Sequence, residues 1–289
     1  MKILRTKDEL RAACNAARAS GQRVGFVPTM GALHAGHTSL MDAAAREGAD
    51  YVVTSIFVNP LQFAAGEDLD QYPRTFDADI AACEAHGVHA VFAPEKKAMY
   101  GAGFSTEVKV SKVTAPFDGQ YRPEHFDGVT TVVAKLFNVV GESLAVFGRK
   151  DFQQWRTLER MTQDLDLPVV VLGEPIIREH DGLALSSRNR YLSDVDRERA
   201  LALSQGLRRA EAAWESGERN PEVLVAVARE PVEGAFDRID YVGAADPFDL
   251  GPPEPNPTRL VLLAAAHLGH TRLIDNIELG PKIDGPKRT

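Results

Sequence analysis

The alternation of apolar strand-like and helix-like segments in the first 175 residues constrains the fold most strongly. The strand-like runs are 24–27, 51–58, 88–92, 144–147 and 169–172, and helix-like segments occupy 10–19, 38–47, 75–85, 129–140 and 151–164. Pro28 and Pro60 follow the first two runs and are expected to end those strands. Such alternation is typical of βαβ units, and near-continuous apolar strands fit a sheet covered on both faces. We therefore predict an α/β fold with a Rossmann-like, doubly wound parallel sheet.

The pattern changes after Ile177. Ser193 is a good N-cap for a helix over 194–216, and Asn220 with Pro221 indicates the start of a second helix. Strand-like runs follow at 239–242, 259–265 and 271–277, and a loop with five prolines, 247–257, separates the first two. Two helices followed by three strands predict a second, smaller α+β domain. We place the first domain at 1–176 and the second at 177–289.

The composition limits the classes of partner. Lys and Arg total 33 and Asp and Glu total 41 among 289 residues, giving a net charge of −8. An acidic chain argues against sequence-independent nucleic-acid binding, although one basic pocket for a phosphate ligand remains compatible. The sequence shows neither a secretory signal nor an apolar run that spans a bilayer, so no membrane partner is expected. The two cysteines, Cys14 and Cys83, are expected to be buried free thiols in a cytoplasmic protein.

The segment 27–37, Val-Pro-Thr-Met-Gly-Ala-Leu-His-Ala-Gly-His, is the most informative for function because it joins a strand to a helix. A helix N-terminus at the carboxyl end of a parallel strand offers free N–H groups to phosphate. Gly31 and Gly36 allow close approach of the backbone, and His34 and His37 can donate to phosphate oxygens. A capping histidine beside a surface histidine is the structural alternative. A two-histidine metal site is disfavoured because no carboxylate at helical spacing completes it.

Side chains with neutral amides follow two of the predicted strands, 51–58 and 144–147. Asn59 and Gln62 come after the strand at 51–58 and can read hydroxyl and carboxylate groups of a substrate. Lys150 follows the strand at 144–147 and can contact phosphate, with Gln154 one helical turn further on. Ordinary turns and capping residues are the alternative interpretation of both segments.

Two further segments carry charge or hydroxyl groups. Ser186, Ser187 and Arg188 suit a loop that closes over a polyphosphate, although a linker with capping serines is an equal alternative. Asp79 is a weak candidate for a magnesium ligand, and a first-turn carboxylate favouring the helix dipole is the alternative. The sequence contains no P-loop, no Gly-x-Gly-x-x-Gly after the first strand and no Gly-x-Ser-x-Gly elbow, which disfavours those nucleotide-binding and hydrolase classes.

Taken in order, these segments resemble the pantothenate synthetase (pantoate–β-alanine ligase) family. The resemblance covers most of the first 190 residues and the last strand, 271–276. The matching motifs are Pro-Thr-Met-Gly-Ala-Leu-His-x-Gly-His at 28–37, Phe-Val-Asn-Pro-x-Gln-Phe at 57–63, Tyr-Pro-Arg at 72–74, the stretch 122–128, Phe-Gly-x-Lys-Asp-x-Gln-Gln at 147–154, and 181–189. The paired histidine and Ser-Ser-Arg segments are also similar to the signatures of nucleotidylyltransferases and class I aminoacyl-tRNA synthetases.

The resemblance implies a two-domain homodimeric ligase that joins (R)-pantoate to β-alanine and splits ATP into AMP and diphosphate with Mg²⁺. It implies that Gln62 and Gln154 hold pantoate, with Gln62 also near β-alanine, and that His37 is the proton donor. On the basis of this resemblance, we assign stabilisation of the phosphate charge to His34, His37, Lys150 and Arg188. The implied ATP-binding residues are Met30, Gly31, Ala32, Leu33, His34, Ala35, Gly36, His37, Gly148, Arg149, Lys150, Asp151, Ile177, Leu185, Ser186, Ser187 and Arg188.

Three positions depart from the family pattern. Arg149 stands where Glu is common, Ala78 interrupts a carboxylate run, and Leu185 replaces Met. Another acyl-adenylate or nucleotidyl transferase on the same scaffold is the nearest alternative, and Gln62 with Gln154 would discriminate it. A tRNA-charging enzyme is disfavoured by the acidic charge balance. A non-catalytic nucleotide sensor would bind ATP without releasing diphosphate.

Overall fold

A six-stranded parallel sheet forms the first part of the chain in the computed structural model, which describes residues 1–64 and 67–282. The strand order is β1-β4-β3-β2-β5-β6, and each neighbouring pair is parallel. The strands are β1 (Lys2–Leu4), β2 (Val24–Thr29), β3 (Tyr51–Ile56), β4 (Ala90–Phe92), β5 (Ser143–Gly148) and β6 (Val169–Glu174). The predicted α/β class with a parallel sheet is confirmed.

Helices cover both faces of this sheet, as its apolar strands predict. Successive residues of β2 point to opposite faces, so Phe26 packs in a buried cluster with α1, α6 and α7, whereas Val27 packs with α2 and α3. The helices of this part are α1 (Lys7–Ala19), α2 (Ala35–Arg46), α3 (Phe76–Ala85), α4 (Lys96–Met99), α5 (Asp118–Tyr121), α6 (His125–Val140) and α7 (Phe152–Asp164).

The second part is built from two helices and a three-stranded antiparallel sheet, which confirms the predicted α+β character. Ser193 and Asn220 accept hydrogen bonds from the backbone N–H groups of Asp196 and Glu222, as expected of N-caps. The helices pack on the sheet around their own buried cluster. The elements are α8 (Asp194–Glu215), α9 (Pro221–Ala235), β7 (Arg238–Ala245), β8 (Leu260–Leu268) and β9 (Thr271–Leu279), with strand order β7-β8-β9.

The structure corrects two details of the sequence analysis. Pro28 does not end β2, which continues to Thr29. Pro28 is in register with Ser55 of β3, but the pairing of β2 with β5 involves only Gly25 and Phe26, so on the β5 side Pro28 lies beyond the paired stretch. The edge strand β1 was not expected, because it is only three residues long. The boundary at 176/177 stays a prediction, and residues 283–289 of the proposed second domain lie outside the described residues. None of the described helices combines the length and apolarity needed to cross a bilayer.

Candidate active site

Two consecutive residues with positive φ angles and a buried carboxylate shape the loop between β2 and α2. Gly31 has φ +85° and Ala32 has φ +51°, so the backbone turns through the left-handed region before the helix begins. The Asp79 carboxylate, 3% exposed, accepts hydrogen bonds from the N–H groups of Ala32 (3.0 Å) and Leu33 (2.8 Å). A Cβ at Gly31 would lie 2.9 Å from Asp79 Oδ2, so only glycine fits there.

Asp79 thus has a structural role that differs from the weak metal-ligand hypothesis. Its two oxygens hold the loop, and Oδ1 also accepts from the Thr75 hydroxyl at 3.0 Å. Within residues 1–64 and 67–282, no group of three or more His, Cys, Asp or Glu side chains is arranged to hold a metal ion. The carboxylate therefore holds the backbone in the loop that connects β2 to the start of α2.

His34 and His37 form the first turn of α2 together. The N–H of Gly36 donates to His34 Nδ1 at 3.1 Å, and the N–H of His34 donates to His37 Nδ1 at 3.4 Å. The two rings lie 4.1 Å apart between centroids. His34 is therefore the N-cap, as in the capping alternative of the sequence analysis, but the second histidine is its capping partner and not a surface residue.

Burial keeps both imidazoles neutral. Burial, with a smaller contribution from the Lys150 charge, lowers the pKa of His34 to about 4, and burial lowers the pKa of His37 to about 3. Because each Nδ1 accepts from a backbone N–H, the single proton of each neutral ring resides on Nε2. The pair therefore offers two N–H donors and no positive charge in the free protein.

Lys150 lies in a 3-10 turn, Arg149–Asp151, between β5 and α7. The Asn276 side chain, on β9, donates from Nδ2 to the carbonyl oxygens of Arg149 and Lys150, both at 2.9 Å. The Lys150 ammonium is 3.9 Å from an Asp151 carboxylate oxygen. The second sheet thus supports the turn whose cation lowers the pKa of both histidines.

Arg149 was expected to contact ATP, and its side chain has other partners. Its guanidinium donates to the carbonyl of Gly173 at 2.8 Å and to the Glu278 carboxylate at 3.0 Å, and it lies 4.7 Å from the Trp155 ring centroid. These contacts account for an arginine at this position, because it pairs with a carboxylate of β9. They direct the side chain to the junction of the two sheets.

Arg188 is paired in the described structure. Its guanidinium donates to both oxygens of Asp68, at 2.9 and 2.8 Å, and its own N–H donates to the Ser186 hydroxyl at 3.3 Å. The 177–188 segment approaches the helix start: the Leu185 N–H donates to the Ile177 carbonyl at 3.0 Å, and a methyl group added to Gly36 would lie 3.7 Å from Leu185 Cβ. An anion that approaches Arg188 therefore competes with the negative charge of Asp68.

The two glutamines that the family resemblance assigns to pantoate line one cavity of about 1250 Å³. Gln62 follows β3 in the 3-10 turn Pro60–Gln62, and Gln154 lies on the first turn of α7. The cavity brings together nine of the predicted site residues, which come from the segments after β2, β3, β5 and β6; ligands bind at the carboxyl ends of strands in such sheets. These residues are Met30, His37, Asn59, Gln62, Lys150, Asp151, Gln154, Ser186 and Arg188.

A charged network that no sequence pattern indicated lies on the second-sheet side of this cavity. The Asp118 carboxylate accepts from Tyr241 Oη at 2.8 Å and from the Arg272 guanidinium at 2.5 Å, and all three residues line the cavity. Burial opposes ionisation of Asp118, but the Arg272 charge and these hydrogen bonds outweigh it and hold the pKa of that carboxyl below its usual range. Asp118 and Arg272 are 154 residues apart, so no local spacing signals the pair.

Comparison with known proteins matches nearly the whole chain. The model of the family described as pantoate-beta-alanine ligase matches residues 2–278. The pantothenate synthetase of Geotalea uraniireducens (strain Rf4) is 48% identical over 281 residues, which cover 97% of this chain and 99% of that protein. The pantothenate synthetase of Pseudomonas fluorescens (strain SBW25) is 47% identical over 96% of this chain and 99% of that protein.

Solved structures agree with the sequence matches. The crystal structure of pantothenate synthetase from Thermus thermophilus superposes with a TM-score of 0.91 at 41% identity, covering 97% of this chain and 100% of that one. The pantoate-beta-alanine ligase from Francisella tularensis, complexed with beta-gamma ATP and β-alanine, gives a TM-score of 0.79 at 30% identity, covering 96% and 97%. From this full-length agreement in sequence and fold, the chain belongs to the pantoate–β-alanine ligase family.

Proposed function

We propose that this chain catalyses the ATP-dependent condensation of (R)-pantoate with β-alanine to pantothenate, releasing AMP and diphosphate through a pantoyl adenylate. The observation that carries the proposal is one cavity that joins a histidine-capped helix start, a lysine turn and two neutral amides. The helix start and the lysine can bind phosphate groups, and the two amides can form hydrogen bonds with a hydroxy acid. The similar ligase from Francisella tularensis is complexed with beta-gamma ATP and β-alanine, which supports the same co-substrates here.

The proposed nucleotide site lies over the N-terminus of α2. The residues assigned to ATP are 30–37, 148–151, Ile177 and 185–188, with His34, His37, Lys150 and Arg188 stabilising charge on the phosphates. Among them, Arg149 contributes through its backbone, because its guanidinium pairs with Glu278. Gln62 and Gln154 are assigned to pantoate, and Gln62 is also assigned a place near β-alanine on the family resemblance.

The chemistry needs positioning and charge stabilisation and no protein nucleophile. The pantoate carboxylate oxygen attacks the α-phosphorus while the bond to diphosphate breaks. The β-alanine amine then attacks the acyl carbon, loses a proton, and AMP leaves. The neutral His37 ring donates its Nε2–H to a phosphate oxygen, so we assign it as a hydrogen-bond donor and not as an imidazolium acid in the free protein. Cys14 and Cys83 are buried, and burial raises the pKa of each thiol to about 11.

Mg²⁺ fits this site as a companion of the nucleotide. The described residues contain no three-ligand metal cluster, and Mg²⁺ usually keeps several waters and binds substrate phosphates through few carboxylates. Asp151 lines the cavity beside Lys150, and we assign it as the carboxylate that would approach such an ion. When bound, Mg²⁺ supplies charge neutralisation of the triphosphate.

We also propose, on the family resemblance, that the protein is a homodimer and lies in the cytoplasm.

The test is ATP–diphosphate exchange with labelled diphosphate, Mg²⁺ and (R)-pantoate, with β-alanine left out. Pantoate-dependent exchange is expected because adenylation is reversible before the amine arrives. Adding β-alanine should then release AMP and pantothenate in equal amounts. A protein that binds ATP but shows no pantoate-dependent exchange would contradict the proposal. A panel of other carboxylic acids would then distinguish a ligase for a different acid from a nucleotide sensor.

A further inference from the structure

The side chain of Asn59 has every hydrogen-bonding position occupied by protein. Its Nδ2 donates to the Gly128 carbonyl at 3.0 Å and to Gln62 Oε1 at 3.1 Å. Its Oδ1 accepts from the Leu61 N–H at 3.3 Å and from the Tyr100 hydroxyl at 2.7 Å. An amide has two donor hydrogens and two acceptor lone pairs, so all four are used. Asn59 is 1% exposed, and it has nothing left to offer a substrate.

Backbone groups fix which end of the Asn59 amide is which. The Leu61 N–H can only donate and the Gly128 carbonyl can only accept, so Oδ1 must face Leu61 and Nδ2 must face Gly128. It follows that the Tyr100 hydroxyl donates to Oδ1 and that the second Nδ2 hydrogen is directed at Gln62. The two backbone partners alone therefore fix the direction of this chain of hydrogen bonds.

Gln62 inherits its orientation from Asn59. Because Gln62 Oε1 accepts from Asn59, the Gln62 Nε2 group is turned the other way, where it lies 3.1 Å from Met30 Sδ. A thioether sulfur is a weak acceptor, so these N–H groups gain by exchanging it for a substrate oxygen. Met30 and Gln62 both line the cavity.

The backbone of Gln62 is held as firmly as its amide. His125 Nδ1 donates to the Gln62 carbonyl at 2.8 Å, and the Arg122 guanidinium donates to the same oxygen at 3.3 Å. The amide orientation is the remaining degree of freedom, and the Asn59 contact selects it. Behind Asn59, the Tyr100 ring packs against Phe57 and Phe104, with centroids at 6.2 and 4.9 Å.

We propose that Tyr100 and Asn59 are positioning residues that lock the Gln62 amide with its N–H₂ group toward the acid substrate. This orientation favours an acid with a hydroxyl or carboxylate oxygen that can accept a hydrogen bond from Gln62 Nε2. The proposal rests on the proposed function, because it concerns how the acid substrate of that reaction is recognised. It reassigns Asn59 from a substrate contact to a residue that acts through Gln62.

The first test is Tyr100→Phe, which removes one hydroxyl and keeps the packed ring. In the exchange assay the KM for pantoate should rise about fivefold, the usual effect of losing one neutral hydrogen bond, while the KM for ATP stays unchanged. Tyr51→Phe is the matched control, because Tyr51 is the first residue of β3, at the end opposite Asn59. ATP binding by calorimetry verifies that each variant is folded.

A double-mutant cycle separates positioning from a merely structural role. If Tyr100 acts through Gln62, Tyr100→Phe should leave the pantoate KM unchanged in a Gln62→Ala background. An equal rise in both backgrounds would overturn the proposal. A second test concerns direction: Gln62→Glu should raise the pantoate KM more than Gln62→Ala, because it places acceptor oxygens where donors are required. A Glu variant that binds pantoate as well as wild type would overturn the assigned orientation.

The outcomes also distinguish this assignment from the proposed function. Wild-type protein that binds ATP but shows no pantoate-dependent exchange would overturn both. Pantoate-dependent exchange in wild type, with an unchanged pantoate KM in Tyr100→Phe, would overturn the positioning assignment alone.

Discussion

Substituting Gly128 by Ala should damage pantoate binding, although Gly128 is a helix residue and alanine is the better helix former. Helix α6 packs on the turn that carries Gln62, and a Cβ at Gly128 would lie 2.2 Å from the Leu61 carbonyl oxygen and 2.6 Å from the Gln62 nitrogen. Both contacts are backbone atoms, so no side-chain rotation relieves them. The turn must retreat by about 1 Å to restore van der Waals contact.

Two magnitudes follow from that displacement. Overpacking of this kind destabilises a core by about 1–3 kcal/mol, which urea unfolding would measure. A displacement of about 1 Å in a positioning element can lower activity about a hundredfold, so kcat/KM for pantoate should fall by that order while ATP binding persists. Gly234→Ala is the matched control: Gly234 lies in α9 with open space around it, and the change should stabilise by about 0.5–1 kcal/mol. Wild-type stability and pantoate kinetics in Gly128→Ala would refute the packing argument.

Two further predictions concern titration and the paired arginine. The pKa of His37 is lowered to about 3 in the folded protein, below the unfolded value of 6.5, so its stability contribution is present above pH 6.5 and is lost as pH falls. Between pH 8 and pH 5 this amounts to about 2 kcal/mol, and His37→Gln should weaken the pH dependence of unfolding by that amount; an unaltered dependence would contradict it. Asp68→Asn removes the carboxylate charge that competes with an anion for Arg188, so the KM for ATP should fall about two- to fivefold, whereas a rise would show that Asp68 supports nucleotide binding.

The parallel sheet was predictable because its strands carry a strong local signal. Strands β2, β3 and β5 are apolar runs buried on both faces, and helices of ordinary length lie between the strands. Strand β1 has only three residues, Lys2-Ile3-Leu4, and is ordered by pairing with β4, a contact across about 90 residues. The order of strands within the sheet likewise depends on long-range packing that periodicity does not contain.

The candidate site was predictable where chemistry and chain position coincide. The histidine pair, the lysine turn and the two glutamines each follow a strand, and strand ends meet in a parallel sheet. What the sequence does not contain is the partner of each group. Asp79 reads as a first-turn carboxylate, and only the fold places it under the N–H groups of Ala32 and Leu33. Asn59 reads as a substrate amide until its four internal partners are known.

The support that β9 gives to the lysine turn has a consequence for how the protein is made. Asn276 and Glu278 hold the Arg149–Asp151 turn, yet they are among the last described residues to leave the ribosome. All six strands of the parallel sheet precede them, so that sheet can form on a nascent chain while the Lys150 turn still lacks its outer contacts. The contacts of the Arg149–Asp151 turn with Asn276 and Glu278 can therefore form only after the β8–β9 hairpin has been synthesised.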